Sequence, residues 1–513
     1  MSARAIEARS VVEYVDHVLG FFTEAGRGRP AFVIAASLAF VAGMSSAVID
    51  GTIAVALVGL GVVTIMTWVH PPLAGYAMVA AAPAIVGLDR DQVLPFLRPN
   101  EALLGVLIVI LATRWLLYSR KVDVRLNAVD VTMVGLVATG FAIPLIAQVV
   151  RLRPMGLDDI LYALVFVRLG LLYGLIRHTI RTPGQVRTAI GFSLATASVL
   201  GLLGLMDSLN LLDTAERLNP YFPNAGPVAD DGRGAASIGN PIGFGVYAAI
   251  NCCLGLAMLL GGERPVVPLA LATACCGLGV FGSGQIGPTL SFVVGLVVLA
   301  VLTRSVMRLT AWLAPAVLVV LVVVSPLILR RIDGFGGFEV TSATRQAIAE
   351  AGGQEESRLL FDANPGSSWD VRLYNLETFF IPEFNDPLNV ALGVTPQARV
   401  PSPREGEDFI WIESGHLWLV WSGGIPLFIA FFGFIGVGMY TAARVSRSMV
   451  GPVGIAAVAF VAALSMLFVA QTFDPHLTLR GTADILYPLA ALATTGWSAA
   501  RARPHLVKDH IHV

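Results

Sequence analysis

Charge is scarce in this chain. Only 13% of its 513 residues are charged, whereas soluble domains average about 25%. The formal net charge of -1 leaves no basic excess, so nucleic acid is excluded as a partner class. Cysteine is sparse too: four residues form two adjacent pairs, Cys252/Cys253 and Cys275/Cys276, without CxxC or Cys/His spacing. Neighbours on a helix point different ways, so these thiols read as packing groups rather than a redox or metal site. Also missing are a Walker A loop, HExxH, a Gly-x-Ser-x-Gly elbow and an Asp-rich metal motif. Chemistry driven by ATP hydrolysis within the chain therefore has no residues to carry it. No secretory signal precedes the first long apolar run, which starts near Pro30, so the protein is expected to be anchored as made.

What the chain has is hydrophobic length. Hydrophobic residues make up 56% of it, and the mean hydropathy is +0.74. Windows near 20 residues, enough for a helix to cross a bilayer, recur at 30–49, 52–69, 71–88, 101–118, 130–150, 159–177, 187–208, 240–261, 265–282, 285–303, 310–329, 412–441, 452–471 and 483–499. They predict one all-α, polytopic transmembrane bundle of about fourteen spans rather than several soluble domains. Helices 1–11 would occupy 30–329 and helices 12–14 would occupy 412–499. In the segment 1–29, Val11, Val12, Val15, Val18, Leu19 and Phe22 recur at helical spacing, which predicts an amphipathic helix on the cytoplasmic membrane surface.

Lys and Arg in short loops set the sides. Arg120, Lys121 and Arg125, then Arg177, Arg181 and Arg187, then Arg304 and Arg308, then Arg444 and Arg447 all fall on one side of a fourteen-span chain. Both termini join them, including the tail 500–513 with Arg501, Arg503 and Lys508, so both are expected in the cytoplasm. The two longest connections, about 209–239 and 330–411, then lie outside it. The second is long enough for a functional loop and holds short helix-like pieces.

Chemistry-bearing residues gather at those outside connections. Residues 413–428, ESGHLWLVWSGGIPLF, place Glu413, Ser414 and His416 at the outer mouth of a span, where a His of near-neutral pKa can take a proton from a hydroxyl. A His that merely ends a polar loop would look the same. Some 40 residues earlier stand Trp369, Arg372, Tyr374 and Glu377, able to stack on a sugar or hold an anion. The other connection reads RGAASIGNPIGFGVYAAIN, with Arg233 seven residues before Asn240. Its glycines Gly239, Gly243 and Gly245 serve either helix packing or a ligand held against backbone. Ser283, Gly284 and Gln285 read as a tight turn, and Asp474, His476, Arg480 and Asp484 as either a second anion or proton site or a polar hairpin tip. Asp89 and Asp91 in GLDRDQ keep a metal-using transferase open. Arg114 and Arg168 are the main charges inside spans.

In that order, the Arg233–Asn251 stretch, the Gly-Ser-Gly turn, the long loop with its Trp/Arg helix and ESGHLWLVWSGGIPLF resemble the O-antigen ligase and O-antigen polymerase family of bacterial envelope proteins, over roughly residues 225–440. One departure is Gly284-Gln285 after Ser283, where family members often carry Ser-Arg-Gly. The resemblance implies metal-independent transfer of a polyprenyl-pyrophosphate-linked glycan, without a cofactor, to a glycan or lipid acceptor at the outer face of the bacterial inner membrane. By that reading Arg233 and Arg372 neutralise the pyrophosphate, His416 is the general base, and Glu413 orients or replaces it. Trp369, Asn240 and Arg480 would complete the substrate site. A flippase for lipid-linked oligosaccharides is the competing class, expected to bury charge at mid-membrane and to repeat its halves.

Overall fold

A computed structural model describes residues 61, 63–90, 97–118, 126–218, 220–222, 233–304, 307, 308, 310, 372, 373, 375–402 and 409–495. The N-terminal amphipathic segment, the span 30–49, most of the spans 52–69 and 310–329, the tail, Asp91, Trp369 and Tyr374 lie outside them.

The described helices are α1 (Pro72–Ile85), α2 (Pro99–Tyr118), α3 (Ala128–Val150), α4 (Leu157–Thr179), α5 (Pro183–Ser208), α6 (Pro241–Leu260), α7 (Val266–Gly282), α8 (Ile286–Thr303), the short α9 (Pro387–Leu392), α10 (Gly415–Ser448), α11 (Pro452–Ala470) and α12 (Thr482–Thr494). Eight of them (α2 to α6, α8, α10 and α11) are long and apolar enough to cross a membrane. α1 and α7 are shorter apolar helices. Strands β1 (Arg399–Pro401) and β2 (Phe409–Trp411) form a small antiparallel hairpin that periodicity in so short a stretch does not announce.

Local chemistry starts these helices. Asn127 and Asp130 close a capping box at α3, each side chain accepting from the other's backbone N–H at 2.9 and 2.7 Å. Thr182-Pro183, Asn240-Pro241 and Asp386-Pro387 each put a capping side chain before a proline at the first helical position, where a missing N–H costs nothing.

The chain divides into two compact units, 1–75 with 102–123, and 76–101 with 124–513. In the first, Trp68 and Ile110 are buried together with Val106 against them, and Trp68 lies 6.3 Å from Tyr118. In the second, α6, α11 and α12 form the centre, with Phe244, Tyr247, Phe460, Leu464, Leu486 and Leu489 buried. The periphery is apolar as well: along α8, Ile286, Leu290, Val293, Val297 and Val301 form an exposed stripe at helical spacing. Apolar inside and apolar outside is the pattern of a membrane-embedded bundle.

The ends of this second unit are chemically distinct. At one, Arg177 lies 3.6 Å from Asp130, and Arg187 lies 2.8 Å from Glu263. At the other meet the 86–90 turn, the 233–240 segment, the 283–285 turn, the 386–414 segment and the 471–481 loop. There Gly234 N donates to Gly282 O at 2.9 Å, an approach that leaves no room for a Cβ on Gly234.

Residues 412–441 were expected to cross as one helix; α10 instead breaks at Gly424, whose φ is 64° and ψ is -162°. A straight helix would separate His416 and Phe431 by about 22 Å along its axis; their rings lie 6.1 Å apart. The half-helix 415–423 therefore folds back on the rest of α10, with α9 packed on the bend. The signal in the sequence is Gly423-Gly424-Ile425-Pro426: this backbone region is open to glycine almost alone, and the proline removes a helical donor. A Cβ on Gly424 would also fall on the Ala391 carbonyl. Gly424→Ala is expected to cost about 3 kcal/mol or more, read as a lowered thermal unfolding midpoint in detergent.

Candidate functional site

Four guanidinium groups converge at the end of the second unit where the 86–90 turn, the 233–240 segment and the 471–481 loop meet. Arg90 and Arg98 come from the turn and loop flanking α2's start, Arg168 from the middle of α4 and Arg480 from the loop before α12. Three carboxylates stand among them. Glu101 lies 3.2 Å from Arg90, Asp484 lies 3.7 Å from Arg168, and Asp89 is bonded by Arg480 and approached by Arg98 at 4.0 Å. Arg168 and Asp484 are deeply buried, their side chains 10% and 2% exposed.

Among the described residues the cations of this cluster outnumber their carboxylates. Arg90 Nε, Arg98 Nε, and Arg168 Nε and Nη1 are buried without a hydrogen-bond partner among those residues. Burial, together with the like charges of Arg480 and Arg90, pushes the Arg98 pKa down to about 9 despite Glu101. Such donors suit a polyvalent anion, since a guanidinium fork matches phosphate oxygens in pairs. Among the described residues no three His, Cys, Asp or Glu side chains gather with metal-ligand geometry. The charge offered to a ligand here is guanidinium.

A second group adjoins the start of the folded-back half-helix. Arg372 Nε lies 2.9 Å from Glu413 Oε2. The 471–474 loop presses on Gly415, where a Cβ would overlap Gln471 and the Asp474 carbonyl. Burial pushes the Glu413 carboxyl up, with Arg372 pulling the other way. Burial raises Asp474 further, to about 7, Arg372 again opposing and Glu413 adding to it. Asp474 thus exchanges a proton near neutral pH close to the Arg372–Glu413 pair. Gln471 donates nothing from its buried Nε2 to a described partner, while its Oε1 accepts from Leu477 N at 3.1 Å.

The residues singled out from the sequence separate. Arg372 and Glu413 meet. His416, three residues on, turns its ring to Phe431, Phe432 and Phe468, with Nε2 3.2 Å from the Phe468 carbonyl. Arg480 belongs to the four-arginine cluster. Asn240 caps α6, accepting from Gly243 N at 2.8 Å, and Gly243 sits directly under the Arg480 backbone. Arg233 is exposed beside the Gly234–Gly282 contact, where Asp207 Oδ2 accepts from Ala235 N at 2.8 Å. His476 is wholly buried, its Nδ1 3.1 Å from Thr482 Oγ1, and burial lowers its pKa to about 3. Sequence reasoning missed Arg90, Arg98 and Glu101. Their signal was four charges within twelve residues, RDQVLPFLRPNE, of an otherwise charge-poor chain.

Comparison with protein-family models and with curated proteins gives no match for this chain.

Removing one partner of a buried ion pair leaves the other uncompensated, at about 3–5 kcal/mol. Asp484→Asn is accordingly expected to lower the thermal midpoint in detergent substantially. Pairing it with Arg168→Met should restore much of the loss.

Proposed function

We propose that this chain is a metal-independent, inverting glycosyltransferase. It moves a glycan from a polyprenyl-pyrophosphate donor to an acceptor hydroxyl at the extracytoplasmic face of the bacterial inner membrane. One observation carries the reading: four arginines, with more buried donors than their three carboxylates satisfy, stand at one end of an apolar helical bundle. A lipid-linked pyrophosphate pairs a long apolar tail with a polyvalent anion, and this end of the bundle offers a counterpart to each. The topology belonging to this proposal has fourteen spans and both termini in the cytoplasm. Arg177 and Arg187, at the other end of the unit, suit a cytoplasmic side by the positive-inside rule.

In the reaction, the acceptor oxygen attacks C1 of the donor sugar from the face opposite the leaving group. The new C1–O bond forms as the bond from C1 to the phosphate oxygen breaks, and its electron pair leaves on the polyprenyl pyrophosphate. Arg90, Arg98, Arg168 and Arg480 stabilise the charge that develops there without a metal ion. The acceptor's proton goes to a carboxylate of the Glu413–Asp474 pair, held by Arg372. His416 was the first candidate from the sequence, but its Nε2 is engaged with the Phe468 carbonyl among aromatic rings. In this proposal it anchors the half-helix that presents Glu413.

The competing flippase is favoured by one observation, the buried Arg168–Asp484 pair partway along α4. Proteoliposomes separate the two: glycan transfer without donor translocation supports the transferase, and translocation without transfer supports the flippase.

The purified protein offers the tests. Arg98→Gln should weaken binding of polyprenyl pyrophosphate at least tenfold, and transfer should persist in a chelator; activity lost on chelation defeats the metal-independent mechanism. The proton acceptor must be ionised, so the transfer rate should rise with pH through a midpoint near the Asp474 value of about 7. Asp474→Asn should lower the rate by about 10² to 10⁴ and remove that midpoint, whereas His416→Phe should keep it. Retention of the profile in Asp474→Asn and its loss in His416→Phe would return the base role to the histidine.

A further inference from the structure

The hairpin β1–β2 carries a surface that the mechanism above does not use. Its register pairs Arg399 with Trp411 and Pro401 with Phe409, and along β2 only Ile410 points inward. Phe409 and Trp411 stand outward, 38% and 50% exposed. The Arg399 guanidinium lies 3.7 Å from the Phe409 ring centre, 5.6 Å from that of Trp411 and 5.7 Å from that of Tyr162 on α4. It is tied to Asp158 at 2.9 Å and to Gln397 at 3.2 Å. Gln397 in turn donates to Asp159 at 2.8 Å and accepts from the Trp421 indole at 3.0 Å, so the hairpin is fastened to α4 and α10.

This surface is aromatic faces edged with charge. Trp411 stands beside Arg399, which is itself tied to Asp158, a side chain 58% exposed. Sugar rings match such a surface, because their C–H faces stack on aromatic rings while their rim hydroxyls take hydrogen bonds from charged groups. Arg98 and Arg90 of the four-arginine cluster act electrostatically on the same Tyr162 phenol that Arg399 overlies. A donor with its pyrophosphate among those arginines carries its first sugars toward this side of α4.

We propose that Trp411, Phe409, Tyr162 and Arg399 form the binding platform for the donor's sugar rings, next to the site of its pyrophosphate. The platform rests on the reading above that a lipid-linked pyrophosphate occupies the arginine cluster. It contributes affinity through the glycan alone and leaves the lipid pyrophosphate to the arginines.

The test uses the full chain in lipid nanodiscs and three probes: a polyprenyl alcohol, the polyprenyl pyrophosphate, and the same pyrophosphate carrying a hexose–N-acetylhexosamine disaccharide. In the parent protein the disaccharide should tighten binding over the bare pyrophosphate. Trp411→Ala should abolish most of that gain, about tenfold in Kd, leaving bare pyrophosphate affinity within about twofold. That unchanged affinity reports that the variant is folded, and Trp411→Phe, which keeps an aromatic face, should retain most of the gain. The platform is overturned if the disaccharide adds nothing in the parent, or if Trp411→Ala binds the disaccharide probe as the parent does. It is overturned equally if both pyrophosphate probes weaken together. A parent that binds the pyrophosphate no better than the alcohol defeats the function proposed above, a result distinct from any of these.

Discussion

Burial of guanidinium charge is the constraint around which the rest of this structure is arranged. Among the described residues, Arg90, Arg98, Arg168 and Arg480 have between them three carboxylates, and the burial that isolates them from water makes each unmatched charge costly. The carboxylates are not interchangeable. Asp484 also accepts from Gly481 N at 3.0 Å, so one side chain both starts α12 and faces Arg168. Glu101 likewise accepts from Arg98 N at 3.1 Å while facing Arg90. The local chemistry that begins two helices is therefore the same chemistry that holds the cations in place.

The second constraint is the bend at Gly424. A continuous helix from Gly415 would carry its N-terminus away from α10's other half, whereas the fold-back brings His416 onto Phe431, Phe432 and Phe468. Ser414, Glu413 and the loop 471–474 come with it. The placement of Glu413 beside Arg372 and Asp474 is thus a product of backbone geometry at Gly424, eleven residues further along the chain. A polar group stands next to an apolar run here because the run turns back on itself and offers its first turn to the end of the bundle.

The sequence made some of this visible and hid the rest for identifiable reasons. Helices α2 to α6, α8 and α11 follow from apolar windows of sufficient length, and the starts of α5 and α6 from Thr182-Pro183 and Asn240-Pro241, because both signals are local. Arg168 was conspicuous as a charge inside a span. Its partner Asp484 was noted only in a different loop, since 316 positions of intervening chain carry no information about contact. Arg90, Arg98 and Glu101 were passed over because loop charges in a membrane chain are ordinarily solvated. The hairpin at 399–411 was invisible because two strands of three residues each have too few positions to establish a period. For His416, residue type and position at a helix start suggested a base, and only the fold reveals which neighbours its ring faces.

In the proposed transferase, two kinds of site at one end of the bundle answer the two demands of displacement at a sugar carbon. The leaving side needs fixed positive charge that does not itself lose a proton. Arginine meets this even where burial and like charges bring Arg98 down to about 9, because that value still keeps it charged at neutral pH. The attacking side needs a group that exchanges a proton near neutrality, and burial brings Asp474 up to about 7. The same physical cause, removal from water, thus leaves the arginine a permanent cation and turns the aspartate into a proton acceptor. An anion set among the arginines would convert their mutual repulsion into shared attraction, so their arrangement discriminates by charge before it discriminates by shape. In the proposed complex, discrimination by shape falls to surfaces nearby that carry aromatic faces, and the hairpin is one element that presents them outward.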